Sequence, residues 1–287
     1  TAGTNTLSPA FDVAEDGTYA SFAVVQTAPA EHPTLRRHRV GIGFYNTDPS
    51  DDEGRLVRTD YVEADVDGER TELAELVGRA QPELLLLNDE DLAFAKIRLD
   101  DRSLATAVSR LADLDDSLAR ALVWGAAWDM TRDAELSATE FVDLVLGNIG
   151  SETDAWGVSR IPTYAAQAVN IYSDPAKRAD LAARWEQGLR SLLTESEPGT
   201  DHQLTFARSF ASAAHTDAAV DELEAILAGS ITFEGLAVDQ DLRWSLLANL
   251  ARVGRVDDAR VDAELGQDNT ISGQEKAAAT RAAMPTE

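Results

Sequence analysis

The spacing of apolar residues changes once along the chain, near residue 100. Before that point apolar residues alternate with small or polar ones, as where Val40, Ile42 and Phe44 share one face. A period of two is typical of half-buried β-strands. After it, apolar residues recur at helical spacing, for example Leu104 and Leu111. The change predicts a multi-domain α and β chain in which an antiparallel β-sandwich is followed by an all-α region.

The first part of the chain contains signals for six or seven short strands, a number typical of a sandwich. Asp67-Gly68 separates the alternating run that ends at Val66 from the one over residues 69–76. An Asp-Gly pair in this position favours a type I′ hairpin turn. Within the strand over 39–45, the motif Gly41-Ile42-Gly43 indicates close packing against backbone, since it lacks the third glycine of a dinucleotide-binding loop.

Ten helices are predicted after residue 100, at 103–113, 117–130, 138–149, 158–172, 175–194, 201–214, 217–228, 239–253, 258–265 and 273–283. Their ends carry capping signals. The predicted N-caps are Ser137, Asp174, Thr200, Asp257 and Ser272, and the predicted C-terminal glycines are Gly229, Gly254 and Gly266. Short loops between helices of 8–20 residues favour antiparallel pairs, and pairs that stack on one another form a HEAT-like α-solenoid.

Charge and composition exclude several function classes. The 287 residues include 51 Asp and Glu against 25 Lys and Arg, a formal net charge of −26. Such a surface repels nucleic-acid phosphates and anionic lipid, so neither nucleic acid nor membrane is expected as a partner. Because cysteine is absent, the chain has neither disulfides nor thiolate zinc ligands. We interpret the acidic surface as that of a cytoplasmic protein.

Catalytic motifs are absent from the sequence. The four histidines never form H-E-x-x-H, and neither G-x-S-x-G nor a phosphate-binding loop occurs. Adjacent carboxylates are frequent, and in a chain with 51 acidic residues they are expected in solvated turns and at helix N-termini. The acidic loop 48–53 is a weak candidate for calcium because it lacks the D-x-[DN]-x-[DN]-G spacing.

The segment over residues 124–133 reads WGAAWDMTRD and admits two interpretations. Trp124 and Trp128 lie one helical turn apart, beside small residues, which favours a helix-packing motif that includes Asp129 and Asp133. The alternative is the wall of a substrate cavity, with Arg132 paired to one of the two aspartates, since aromatic–arginine clusters often mark binding surfaces.

Three segments together resemble the actinobacterial branch of the aminopeptidase N family of zinc metallopeptidases. They read TAGTNTLSPAF…DGTYASFAVVQ at the N-terminus, PELLLLNDEDLAFAKIRLD over 82–100, and WGAAWDMTRD over 124–133. The long second segment is the most specific. The resemblance extends over essentially the whole chain and includes the order of a β-sandwich followed by helices.

The resemblance implies that this chain is a non-catalytic C-terminal region of a larger enzyme that removes N-terminal residues from peptides. In that family H-E-x-x-H with a distal Glu holds zinc, and G-x-M-E-N binds the free amine of the substrate. Neither motif occurs here, so no catalytic residue, metal ligand or cofactor is assigned to this chain, and zinc is expected in the parent catalytic domain. The expected partners are that catalytic domain and the peptide substrates.

The resemblance also divides the chain into four parts. Residues 1–9 are expected to be the tail of the catalytic domain, 10–88 a β-sandwich spacer, 89–100 a connector, and 101–287 a helical lid that restricts peptide access and stops earlier than in relatives. The candidate peptide contacts are Arg132, Arg160, Tyr164 and Trp156, with Lys96 and Arg98 as further basic candidates. Two alternatives stay open: a free-standing acidic solenoid that binds a partner protein, and a hydrolase with an unrecognised site.

Overall fold

Strands occupy the first part of the chain and helices the rest. The computed structural model describes residues 3–285, so Thr1 and Ala2 of the predicted tail, with Thr286 and Glu287, lie outside the described residues. The strands are β1 (Thr6–Val13), β2 (Tyr19–Thr27), β3 (His38–Thr47), β4 (Leu56–Val66), β5 (Arg70–Glu72), β6 (Leu84–Asp89) and β7 (Lys96–Ile97). The helices begin at residue 101. The predicted fold class, a β-sandwich followed by a helical part, is confirmed.

Two sheets form the sandwich, with strand orders β5-β2-β1-β7 and β4-β3-β6. All pairs are antiparallel except β1 with β7, where Thr6 is paired with Lys96 and Leu7 with Ile97. Strand β6 is buried at all six positions, which explains its continuous apolar run. Large buried side chains such as Phe22, Tyr45 and Leu86 fill the interior.

The hairpin predicted at Asp67-Gly68 is wrong. Strand β4 pairs with β3 and β5 pairs with β2, so residues 67–69 carry the chain from one sheet to the other. Gly68 has φ +77° but Asp67 does not have a positive φ, whereas a type I′ turn needs both. Thr71 holds the connection instead: its hydroxyl accepts the Asp67 N–H at 3.0 Å and donates to the Asp67 carbonyl at 3.1 Å.

Each of the ten predicted α-helices has a counterpart in the described residues, with ends shifted by a few residues. They are α1 (Asp101–Arg110), α2 (Ser117–Arg132), α3 (Ala138–Asn148), α4 (Ala155–Gln167), α5 (Arg178–Glu195), α6 (Asp201–Ala213), α7 (Asp217–Leu227), α8 (Gln240–Arg252), α9 (Asp258–Gln267) and α10 (Ile271–Ala283). A π-helical turn, Ala168–Tyr172, follows α4.

The chain divides into two compact units, the first ending at Ala168 and the second beginning at Val169. In the first, α1 and α2 pack against β6, α2 also contacts β7, and α3 packs on α1 and α4. In the second, α5 packs on α6, while α8 contacts α6, α7 and α10. These contacts arrange helices in neighbouring pairs. The solenoid and the four predicted domain ranges remain predictions, although β1 begins at Thr6, inside the range predicted as a tail.

Candidate functional site

An aromatic cluster on α2 and α4 brings together three of the predicted site residues. The rings of Trp128 and Tyr164 are stacked, with centroids 4.7 Å apart and planes 5° apart. Trp156 meets Tyr164 edge-on at 6.3 Å, and the ring of Phe141 lies tilted against Trp128 at 5.4 Å. Offset and edge-on ring pairs are the favoured geometries. Trp128 lies on α2, Phe141 on α3, and Trp156 and Tyr164 on α4, so the tertiary fold joins side chains from three helices.

The cluster extends from the core to the surface. Trp128 is 7% exposed, Tyr164 is half-buried, and Trp156 is 51% exposed. Trp156, Arg160 and Tyr164 follow each other at a spacing of four and therefore share one face of α4. We call Trp156, Arg160 and Tyr164 the α4 row. The exposed indole of Trp156 therefore lies against a stacked pair that reaches into the core.

The basic candidates differ in how they are paired. Arg160 is exposed and has no ion-pair partner among residues 3–285, although acids outnumber bases two to one. Arg132 is half-exposed, and its guanidinium nitrogen lies 3.8 Å from the Asp129 carboxylate. Burial raises the pKa of Asp129, and nearby Lys96 and Arg132 oppose that shift. Arg160 is therefore the candidate with the most freedom to take an external carboxylate.

Lys96 and Arg98 are structural. The Lys96 ammonium lies 2.6 Å from the Asp133 carboxylate, and buried Arg98 donates to Asp133 at 2.6 Å and also pairs with Glu135. These bonds fasten β7 to the end of α2. Because both cations are already committed, neither is offered to a ligand.

Trp124 and Trp128 are both buried, but they have different surroundings. The Trp124 indole donates to Glu152 at 2.8 Å, and Arg120 reaches the same carboxylate at 3.1 Å. Burial raises the pKa of Glu152, yet the hydrogen bonds from Arg120 and Trp124 outweigh burial and lower it overall. Gly125 faces open space, so of the three small residues between the tryptophans only Ala126 and Ala127 are buried.

The sequence did not predict the hydrogen bonds of Glu152 or the exposure of two apolar side chains. Glu152 precedes a helix start in an acidic chain and carries no distinguishing neighbour. Leu92 and Phe94 lie in the turn between β6 and β7, where no period of two or 3.6 marks them as core or surface.

The residues that the structure describes contain no cluster of three or more His, Cys, Asp or Glu able to hold a metal ion. No helix of that part combines the length and apolarity of a membrane crossing.

Comparison with known proteins shows the family. A family model described as the ERAP1-like C-terminal domain matches residues 84–287. The chain belongs to the ERAP1-like C-terminal domain family. It is also 47% identical over 293 residues to Aminopeptidase N of Streptomyces lividans, an alignment that covers 100% of this chain and 34% of that protein. The resemblance found in the sequence is confirmed, and the chain spans about a third of the length of this relative.

Proposed function

We propose that the chain is the non-catalytic C-terminal region of a zinc aminopeptidase that removes N-terminal residues from peptides. The observation that carries this proposal is the 47% identity to an aminopeptidase N along the entire chain. It favours this function over a free-standing scaffold, since the relative that aligns with the whole chain is an aminopeptidase of about three times its length.

Catalysis is assigned to the part of the parent protein outside this chain. A catalytic zinc needs three protein ligands and an open position, and the described residues offer no such set. In the parent enzyme zinc would polarise the scissile carbonyl and activate water. The residues described here bind, orient or exclude, and none of them transfers a proton in that reaction. A cytoplasmic location stays a prediction that rests on the acidic charge.

The helical part, residues 101–287, is proposed to cover the active-site cavity and to limit which peptides enter. The α4 row supports this role, because it combines an exposed indole, a half-buried phenol and an unpaired guanidinium on one helix face. Aromatic and arginine side chains dominate the energetics of many interfaces. In this proposal Arg160 takes a carboxylate of the peptide, Trp156 and Tyr164 contact its apolar side chains, and Arg132 lies beside them.

The test is peptide hydrolysis by the full-length polypeptide with Arg160→Ala. We expect KM for a nine-residue peptide to rise about 3- to 10-fold, since a charge-assisted hydrogen bond is lost. The kcat for a single aminoacyl chromogenic substrate should not change. Arg208→Ala is the matched control, because Arg208 is also exposed and without an ion-pair partner among residues 3–285.

Two outcomes contradict the proposal. If Arg160→Ala lowers the activity on the long and the short substrate equally, Arg160 does not contact the peptide as proposed. Zinc-dependent turnover of the chromogenic substrate by the 287-residue chain alone, persisting after repurification, would show that the chain is itself a hydrolase.

A further inference from the structure

Two large apolar side chains project from the turn between β6 and β7. Leu92 is 49% exposed and Phe94 is 74% exposed. We call these two residues the β6–β7 knob. Fully burying such side chains contributes roughly 1.5–3 kcal/mol each, so a position that leaves both in water is unfavourable unless another surface covers them. The knob is therefore a candidate contact for a part of the protein outside residues 3–285.

The turn that carries the knob is rigid. Asn88, Glu90 and Asp91 have φ values of +59°, +70° and +53°, which are rare for residues other than glycine. Buried Asn88 fixes this conformation: its side-chain amide donates to the Ala93 carbonyl at 2.8 Å and accepts the Ala93 N–H at 2.8 Å. A preorganised turn loses little conformational entropy when it is bound. The strain is thus concentrated where the two apolar side chains are presented.

The knob lies where the preceding part of a longer polypeptide would arrive. The N–H of Lys96 donates to the Asn5 carbonyl at 2.8 Å, and β1 and β7 run parallel from this point. This bond brings the end of the turn that carries Phe94 next to Asn5, a few residues from the start of the described chain. The Asn5 amide donates to the Thr34 carbonyl at 2.8 Å, which anchors Asn5 at this place.

We propose that the β6–β7 knob inserts into an apolar pocket of the catalytic domain that precedes this chain in the full-length polypeptide. The proposal rests on the proposed function, and on the relative of which this chain covers only 34%. A domain tethered a few residues from Phe94 has an effective concentration in the millimolar range. Two apolar side chains suffice for an intramolecular contact of this kind, whereas a second copy of the chain would need a much larger surface.

The absence of cysteine from the chain allows a direct test. Phe94→Cys and, separately, Leu92→Cys would be introduced into the 287-residue chain and into the full-length polypeptide. The rate of maleimide labelling at that cysteine is read by peptide mass spectrometry. Val77→Cys is the control: Val77 is 48% exposed and lies at the other end of the sandwich, beside Tyr19. Circular dichroism checks that each variant keeps its fold.

We expect labelling at positions 92 and 94 to be at least 10-fold slower in the full-length polypeptide, with position 77 labelled at similar rates in both. Equal rates at position 94 in the two proteins overturn the proposal. Concentration-dependent protection in the 287-residue chain alone overturns it too, because a second copy would then be the partner. If the full-length polypeptide lacks zinc-dependent aminopeptidase activity, the proposed function is wrong. If it is active but position 94 is labelled equally fast in both proteins, only the proposed contact of the knob is wrong.

Discussion

A buried carboxylate, that of Asp89, occupies the space that Gly43 leaves on β3, and the Asp89 carbonyl and the Tyr61 side chain lie against Gly41. Its oxygens accept from the Tyr45 hydroxyl at 3.0 Å and from Arg58 at 3.0 Å. A Cβ on Gly43 would lie 2.8 Å from the Asp89 carboxyl carbon, and one on Gly41 would lie 2.6 Å from a tyrosine oxygen. Gly43 is required because any larger side chain would displace a satisfied buried charge, and Gly41 is required because a larger one would meet the Asp89 backbone.

Gly43→Ala is expected to lower the free energy of unfolding by about 1–3 kcal/mol, because the added methyl group overpacks the site beside Asp89. Gly125→Ala is the matched control: Gly125 lies inside α2, and a Cβ there meets nothing within 4 Å. That change should raise stability by about 0.5–1 kcal/mol, since alanine is the better helix former. Urea unfolding of the three proteins measures both effects, and a neutral Gly43→Ala would contradict the steric argument.

Glu186 of α5 is a second buried carboxylate, and it caps a helix that is distant in sequence. It accepts the backbone N–H groups of His215 and Thr216 at 2.6 and 2.9 Å, ahead of α7. Burial raises the pKa of Glu186, but the hydrogen bonds from Thr216 and His215 lower it below its ordinary value of 4.5. The ionised group therefore stabilises the fold above that value, and this contribution is lost as pH falls through the lower folded-state pKa.

Glu186→Gln should lower the free energy of unfolding at pH 7 by about 1–3 kcal/mol, because hydrogen bonds to a charged acceptor are replaced by neutral ones. The difference from the wild type should shrink as pH falls below 4.5, where the unfolded chain takes up the proton, and vanish below the lower pKa of the folded state. Urea midpoints at a series of pH values measure it. Glu195→Gln, at the exposed end of the same helix, should show no such trend. If Glu186→Gln lowers the free energy of unfolding equally at every pH, the negative charge of Glu186 is not the cause.

At the scale of elements, helix starts were predicted well where the cap is a local motif. Ser137 and Glu140 form the predicted capping box, and Thr200 and Asp257 accept the expected backbone N–H groups. The predicted start at Pro175 is wrong, because a turn precedes α5 and the helix begins at Arg178. Helix α9 runs through Gly266 to Gln267, so Gly266 does not end it.

The cap predicted for α10 is also wrong, in an informative way. The N-cap is Thr270, whose hydroxyl accepts the Gly273 N–H at 3.0 Å, and Ser272 lies inside the helix. A Cβ on Gly273 would lie 2.8 Å from the Asp268 carboxylate oxygen, so the preceding loop packs tightly against the first turn. Both Thr270 and Ser272 are capping residues by type, and the tertiary contact decides between them.

Thr270→Ala should therefore lower the unfolding free energy by about 1 kcal/mol, the typical cost of a lost N-cap. Ser272→Ala should change it by less than about 0.5 kcal/mol, since no backbone N–H loses its acceptor. Thermal or urea unfolding of both variants checks the assignment. The reverse order of the two effects would restore the prediction made from the sequence.

At the scale of the whole molecule, periodicity predicted the order of strands and helices but not how the strands pair. Alternation of apolar residues identifies a strand but does not show which other strand it pairs with. The crossing between sheets at Gly68 and the parallel β1–β7 pair were therefore found only in the structure. Part of the candidate site could be predicted from the sequence, because Trp156, Arg160 and Tyr164 share a helix face by spacing alone. The stacking on Trp128 and the exposure of Phe94 depend on tertiary packing.

The pairing of β1 with β7 cannot form until late in the synthesis of the sandwich. Strand β1 can join β2 soon after both are made, but Thr6 and Leu7 on its other edge wait for β7, about 90 residues later. At roughly 5–20 residues per second, the ribosome leaves that edge without its neighbour for several seconds or longer. An unpaired edge invites association with other chains, so nascent chains of this protein are most exposed to misassembly, and to chaperone capture, before residue 97 is translated.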